Sequence, residues 1–155
     1  MLALVFLSIS GCAQESAEQQ LAALNKQYQT VADRYTAAFK AARTKDEEEE
    51  AYRTLSPNRD FFTERYVQIA ERFPNSNAAR SALTWLAVKG TSKASDDAVD
   101  KLFRHHSASP EMAKVAVAIR HDEDDPNTEQ RLLTLIAKSP HKQVRGTARY
   151  GLANV

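Results

Sequence analysis

Cys12 is the only cysteine in the chain, and its thiol is the most reactive group the sequence offers. A single cysteine excludes a disulfide framework, a C-x-x-C redox pair and a thiolate zinc site. Four histidines, His105, His106, His121 and His141, are the next candidates. His105 and His106 are adjacent, so on a helix they point in different directions. Neither forms the i, i+4 pair that a helical metal site uses. The acidic stretch Asp122, Glu123, Asp124, Asp125 invites a calcium reading. An EF-hand loop needs Gly at its sixth position and Glu at its twelfth. Counting from Asp122 gives Asn127 and Leu133 there, so the stretch reads as a solvated loop. Asp96, Asp97 and Asp100 read as the exposed first turn of a helix. Trp85 has two readings, a surface anchor for a ligand or a packing residue between helices, and the second suits its apolar neighbours better. No Gly-rich phosphate loop, G-x-S-x-G or H-E-x-x-H occurs. The expectation is therefore a chain that is not an enzyme. No catalytic, cofactor-binding or metal-ligating residue is expected, and no small-molecule substrate is identified.

Residues 1–9, MLALVFLSI, are almost wholly apolar and carry no charge. The run is too short for a transmembrane helix, which needs about 20 apolar residues. It has the length of the apolar core of a signal peptide. At its end, Ile9-Ser10-Gly11-Cys12 resembles the bacterial lipobox: an aliphatic residue, two small residues, then Cys. The resemblance implies that the Cys12 thiol carries diacylglycerol, that the chain is cut before it, and that the new amino group is acylated. Residues 1–11 would then be a lipoprotein-type signal peptide, 12–17 the lipidated Cys12 with a short tether, and 18–155 an α-helical repeat domain. The alternative is a buried N-terminal helix with an ordinary core cysteine. No Lys or Arg precedes the apolar run, so the true start is expected further upstream. Ala13 rather than Asp stands after Cys12. By resemblance to the sorting rule of many Gram-negative lipoproteins, this places the chain in the bacterial cell envelope, on the outer membrane facing the periplasm.

The rest of the chain reads as helical. Of the 155 residues, 43% are hydrophobic and 26% charged, with only four glycines, which describes a globular, helix-favouring chain. A formal net charge of +1 argues against a nucleic-acid partner, which would require a basic stripe. Ser16 with Gln19 and Thr44 with Glu47 are spaced as capping boxes. Between them Leu21, Leu24, Tyr28, Val31, Tyr35 and Phe39 recur at steps of three and four, an apolar face for one long helix. A break is expected near Thr44, with a continuous helix as the alternative. Phe61, Phe62, Tyr66, Ile69 and Phe73 line a helix that stops before Pro74. Asn75 or Ser76 caps the next, whose inner face is Ala78, Ala79, Ala82, Leu83, Leu86 and Ala87. Gly90 stops it, and Ser95 is expected to cap its successor. Ser109-Pro110-Glu111 and Ser139-Pro140 mark two further helix starts. Leu132, Leu133, Leu135 and Ile136 fill the helix between.

Helices meeting at a tight Pro turn recur at Pro74, Pro110 and Pro140. With Pro74 and Pro140 in register, Ala78, Ala82 and Leu86 fall on Val144, Ala148 and Leu152, a 66-residue offset. The pattern predicts an all-α fold of helical-hairpin repeats, a TPR/HEAT-like α-solenoid of seven to eight helices. Its last helix ends with no polar capping helix, so the repeat reads as cut off.

The segments AERFPNSNAARSALTWLAVKG, KLFRHHSASPEMAKVAVAI and LIAKSPHKQVRGTARYGLA together resemble the helical region that precedes the thioredoxin-fold domain in bacterial envelope redoxin proteins, which are thiol–disulfide oxidoreductase-like. The likeness spans roughly residues 20–154. The redox residues of that family have no counterpart here, so the resemblance implies the helical module without its activity. The expected function is a lipid-anchored module for protein interaction or scaffolding, its partners the membrane and another protein. The alternative is an accessory domain for a thioredoxin-fold oxidoreductase whose redox domain is not in this chain.

Overall fold

A computed structural model describes residues 15–121 and 125–154. The signal-peptide reading of residues 1–11 and the lipidation of Cys12 lie outside the described residues, as do Asp122, Glu123 and Asp124. The described residues form eight helices and no strand: α1 Ala17–Ala41, α2 Lys45–Leu55, α3 Arg59–Arg72, α4 Asn77–Lys89, α5 Ser92–His106, α6 Met112–Ile119, α7 Thr128–Lys138 and α8 Lys142–Leu152. Among them no helix is long and apolar enough to cross a membrane.

Local chemistry sets the helix boundaries. The Ser16 hydroxyl accepts from the Gln19 N–H at 3.1 Å, and Gln19 Oε1 accepts from the Ser16 N–H at 2.8 Å. Thr44 and Glu47 repeat the arrangement, and Glu47 also takes the Arg43 N–H at 2.6 Å. Those bonds satisfy backbone donors that a helix start leaves open. They break the chain between α1 and α2 with neither Gly nor Pro present. At Pro74 the Ser76 hydroxyl does two jobs: it donates to the Phe73 carbonyl at 2.8 Å and accepts from the Ala79 N–H at 2.9 Å. One side chain thus ends α3 and begins α4.

Three boundaries differ from expectation. Helix α8, expected to start at Ser139-Pro140, begins at Lys142 with His141 in its N-cap position, while Ser139 ends α7. Thr91, not Ser95, occupies the N-cap position of α5. Ser95 lies in the first turn, where its hydroxyl donates to the Ala87 carbonyl at 3.1 Å and ties α5 to the end of α4. At Pro110 the chain first makes a tighter turn, with Met112 N–H on Ser109 O and Ala113 N–H on Pro110 O, both at 3.2 Å. The α-helix proper starts at Met112. Pro74, Pro110 and Pro140 each lie in the turn just before α4, α6 and α8.

Alternate helices α4, α6 and α8 pack side by side in a row. Helix α3 pairs with α4, α7 with α8, and α5 packs on α4 and α6. Helix α1 covers α3 and α4 and forms a hairpin with α2. The core runs along this row: Leu86, Leu102, Met112, Val115, Leu132, Leu135 and Val144 are all buried. Ala78 with Val144 and Ala82 with Ala148, the register pairs, are buried as well, and Leu152 packs partly buried on the core where its counterpart Leu86 is fully buried. Small residues at these positions let helix axes approach closely.

The long apolar face of α1 is only partly used. Leu24 is buried, Leu21, Tyr28 and Val31 pack partly buried on the core, and Phe39 and Tyr52, which both meet the Tyr35 ring, stay 42% and 65% exposed. The far half of α1 meets α2, a helix with a single buried residue, Ala51, so little apolar surface is there to cover it. Leu133 is exposed too, because Leu132 and Leu135 already occupy the inward side of α7.

Candidate functional site

Helices α1, α3 and α4 bring four aromatic rings together. Tyr66 and Trp85 are stacked with centroids 4.0 Å apart and planes 16° from parallel. Tyr28 meets Phe62 at 5.1 Å and Trp85 at 5.2 Å, both edge to face. Lys89, one turn beyond Trp85, sets its ammonium 4.8 Å from the centre of the Tyr28 ring. It also donates to the Tyr28 hydroxyl at 3.4 Å. The Tyr66 hydroxyl donates to Asn25 Oδ1 at 2.7 Å. Burial, with a smaller contribution from the neighbouring Tyr28, pushes the Tyr66 phenol up to about 12. Trp85 is therefore a packing residue first. Its indole N–H is nevertheless buried and meets no acceptor among the described residues.

Trp85 also lines an open groove of about 380 Å³ between α1, α4 and α6. Asn25 contributes from α1, Ser81, Thr84, Val88 and Lys89 from α4, and Glu111 and Lys114 from the start of α6. The carboxylate in this set is already occupied. Glu111 accepts from Arg80 Nε at 3.0 Å and from the Ser81 hydroxyl at 3.2 Å, which clamps α6 onto α4. Lys89 and Lys114 are exposed and have no acidic partner among the described residues. Val88 is an exposed apolar side chain on the same rim, 43% accessible.

The residues nominated from sequence lie elsewhere and do not converge. The His105 and His106 rings sit 6.4 Å apart at the end of α5. His106 is held below the ordinary histidine range, chiefly by burial, then by Arg80 and His105, with Glu111 opposing. His121 accepts from the Arg120 guanidinium at 3.0 Å, and His141 occupies the N-cap position of α8. Asp100 pairs with Arg131 at 2.6 Å, and Arg131 also binds Asp125 and lies over the Phe103 ring. These charges join α5, α7 and the loop before α7. No three His, Cys, Asp or Glu side chains among the described residues are gathered as a metal ion would need.

The groove was not legible from sequence because its two lysines and its carboxylate come from helices that only the fold places together. Trp85 carried the one usable signal, being the sole tryptophan and lying close to Val88 and Lys89 on α4. The chain matches no protein-family model, no curated protein and no solved structure.

Proposed function

We propose that this chain is a lipid-anchored module of the bacterial cell envelope, a TPR/HEAT-like helical repeat that binds another protein and catalyses nothing itself. The observation that carries the reading is the groove across α1, α4 and α6. It is open, spans three helices, and combines an exposed valine, the packed Trp85 ring and two lysines without an acidic partner among the described residues. Such a surface suits recognition. Interaction surfaces favour aromatic anchors with a polar rim. The repeat reading draws support from the row of α4, α6 and α8 and from the matched burial of Ala78 with Val144. Residues 9–12 and their likeness to a lipobox supply the anchor, and the resemblance to the helical region of envelope redoxins agrees with that compartment.

Amine-reactive crosslinking of intact envelope membranes, with peptide mass spectrometry of the products, tests the interaction. Links from Lys89 or Lys114 to a different protein are expected. Links confined to this chain at both lysines, with other lysines joined to foreign proteins, would overturn the reading.

A further inference from the structure

We propose that the groove between α1, α4 and α6 holds an acidic peptide segment of the partner protein, read through its carboxylates. The inference rests on the protein-interaction reading and names the chemistry of what is bound.

The fold leaves the bonding of several groove residues open, and they share one character. Glu111 would repel an acidic ligand, but its two oxygens are taken by Arg80 and Ser81. Asn25 has its carbonyl oxygen occupied by the Tyr66 hydroxyl, which leaves the amide hydrogens available to an acceptor. The Trp85 N–H is buried and offers no donor at the groove surface, though it has no acceptor among the described residues. Lys89 and Lys114 are donors with no carboxylate among them. Asn25, Lys89 and Lys114 are exposed and all three offer donors, two of them with positive charge. Their complement is an acceptor-rich anion.

Carboxylates on a peptide fit better than a nucleic acid. Phosphate backbones are bound by stripes of many Lys and Arg, and this groove is lined by two lysines. The exposed Val88 and the Trp85 ring, the one aromatic side chain lining the groove, give the apolar residues between the carboxylates somewhere to lie. At about 380 Å³ the groove falls within the range of ligand clefts, about 300–1,000 Å³, with room for a few side chains.

Trp85 is the chain's only tryptophan, so its fluorescence reports from the groove alone. The full chain in detergent is titrated with a synthetic peptide alternating Glu and Leu, and with the same peptide carrying Gln for Glu. The acidic peptide is expected to produce a saturable change in emission that weakens as salt is raised. Affinity is expected to fall about tenfold or more for the Gln peptide, and likewise for K89Q/K114Q protein with the acidic peptide. Circular dichroism of that variant identical to the parent separates lost binding from lost folding. No response to the acidic peptide, or equal responses to both peptides or from both proteins, would overturn the inference. An emission change on simple dilution would assign the groove to a second copy and also overturn it. Failure here, with Lys89 or Lys114 crosslinks to a foreign protein still present in membranes, rejects the acidic ligand and leaves the interaction reading standing. Peptide binding that persists while those crosslinks are absent rejects the partner in the membrane and, with it, the source proposed for the acidic segment.

Discussion

Tyr66 on α3 and Trp85 on α4 lie ring on ring, 4.0 Å between centroids, and this stack joins the two helices beneath the groove. Tyr66 is wholly buried, yet its hydroxyl reaches the exposed Asn25 on α1. Tyr66→Phe keeps the stack and removes only that bond. Asn25 can turn to water, so the expected loss is about 0.5–1 kcal/mol, read from urea unfolding. The phenol shift adds a pH signature. An unfolded Tyr ionises near 10, and the buried one near 12. Stability from this group is thus full below pH 10 and is lost as pH rises toward 12. The Phe variant should lack that alkaline component, and an unchanged profile would place the origin elsewhere.

His106 acts at the other end of the scale. Its folded value lies below the unfolded 6.5, so the unfolded chain takes up the proton first as pH falls. Its contribution to stability is complete above that value and declines as the solution is acidified through the lowered one. Replacing His106 with Gln, which cannot titrate, should flatten the change in unfolding free energy across that window. Equal slopes in parent and variant would contradict the assignment.

Arg131 is the polar tie of the second half. It binds Asp100 on α5 at 2.6 Å, binds Asp125 in the preceding loop, and lies 5.9 Å from the Phe103 ring centre. Arg131→Ala leaves the largely buried Asp125 without its cation and should cost about 1–3 kcal/mol. Arg131→Lys should recover only part, because an ammonium cannot hold two carboxylates in the planar fork of a guanidinium. A denaturation midpoint in Arg131→Lys equal to the parent's would remove this role.

Two glycines in α8 should respond in opposite ways to the same change. A Cβ at Gly146 would meet nothing within 4 Å, so Gly146→Ala should stabilise by about 0.5–1 kcal/mol through helix propensity alone. A Cβ at Gly151 would come within 3.3 Å of Leu132 Cδ2 and 3.4 Å of Arg120 Cβ. There the same gain is offset by crowding between α8 and its neighbours, and Gly151→Ala should be neutral or destabilising. Thermal unfolding of the two variants side by side gives the answer, and equal stabilisation by both would show that α8 packs more loosely.

What the sequence disclosed was local. Ser16 with Gln19, Thr44 with Glu47, and Ser76 after Pro74 mark boundaries through bonds spanning three residues or so, and those bonds form. The spacing of Ala78, Ala82, Val144 and Ala148 likewise marks inward faces. Periodicity cannot say how much of an apolar face finds a neighbour, which is why Phe39 and Leu133 fit the inward pattern and still lie outside. Ser95 has the right chemistry for a cap but sits one turn too late, because Gly90 and Thr91 already lead the chain into α5. The clamp from Glu111 to Arg80 joins residues about thirty positions apart, and no short-range pattern encodes it.

Where the chain works decides what its groove can meet. Intact mass of the protein recovered from the membrane fraction is the direct measurement. The mature chain is expected to begin at Cys12 and to carry the mass of three acyl chains. At about 0.8 kcal/mol per buried CH₂, these far exceed what stable anchoring needs. Cys12→Ser should abolish both lipidation and cleavage, leaving an unprocessed precursor. A soluble protein with unmodified Cys12 and Met1 still attached would contradict the anchoring, and with it the placement of the partner in the envelope.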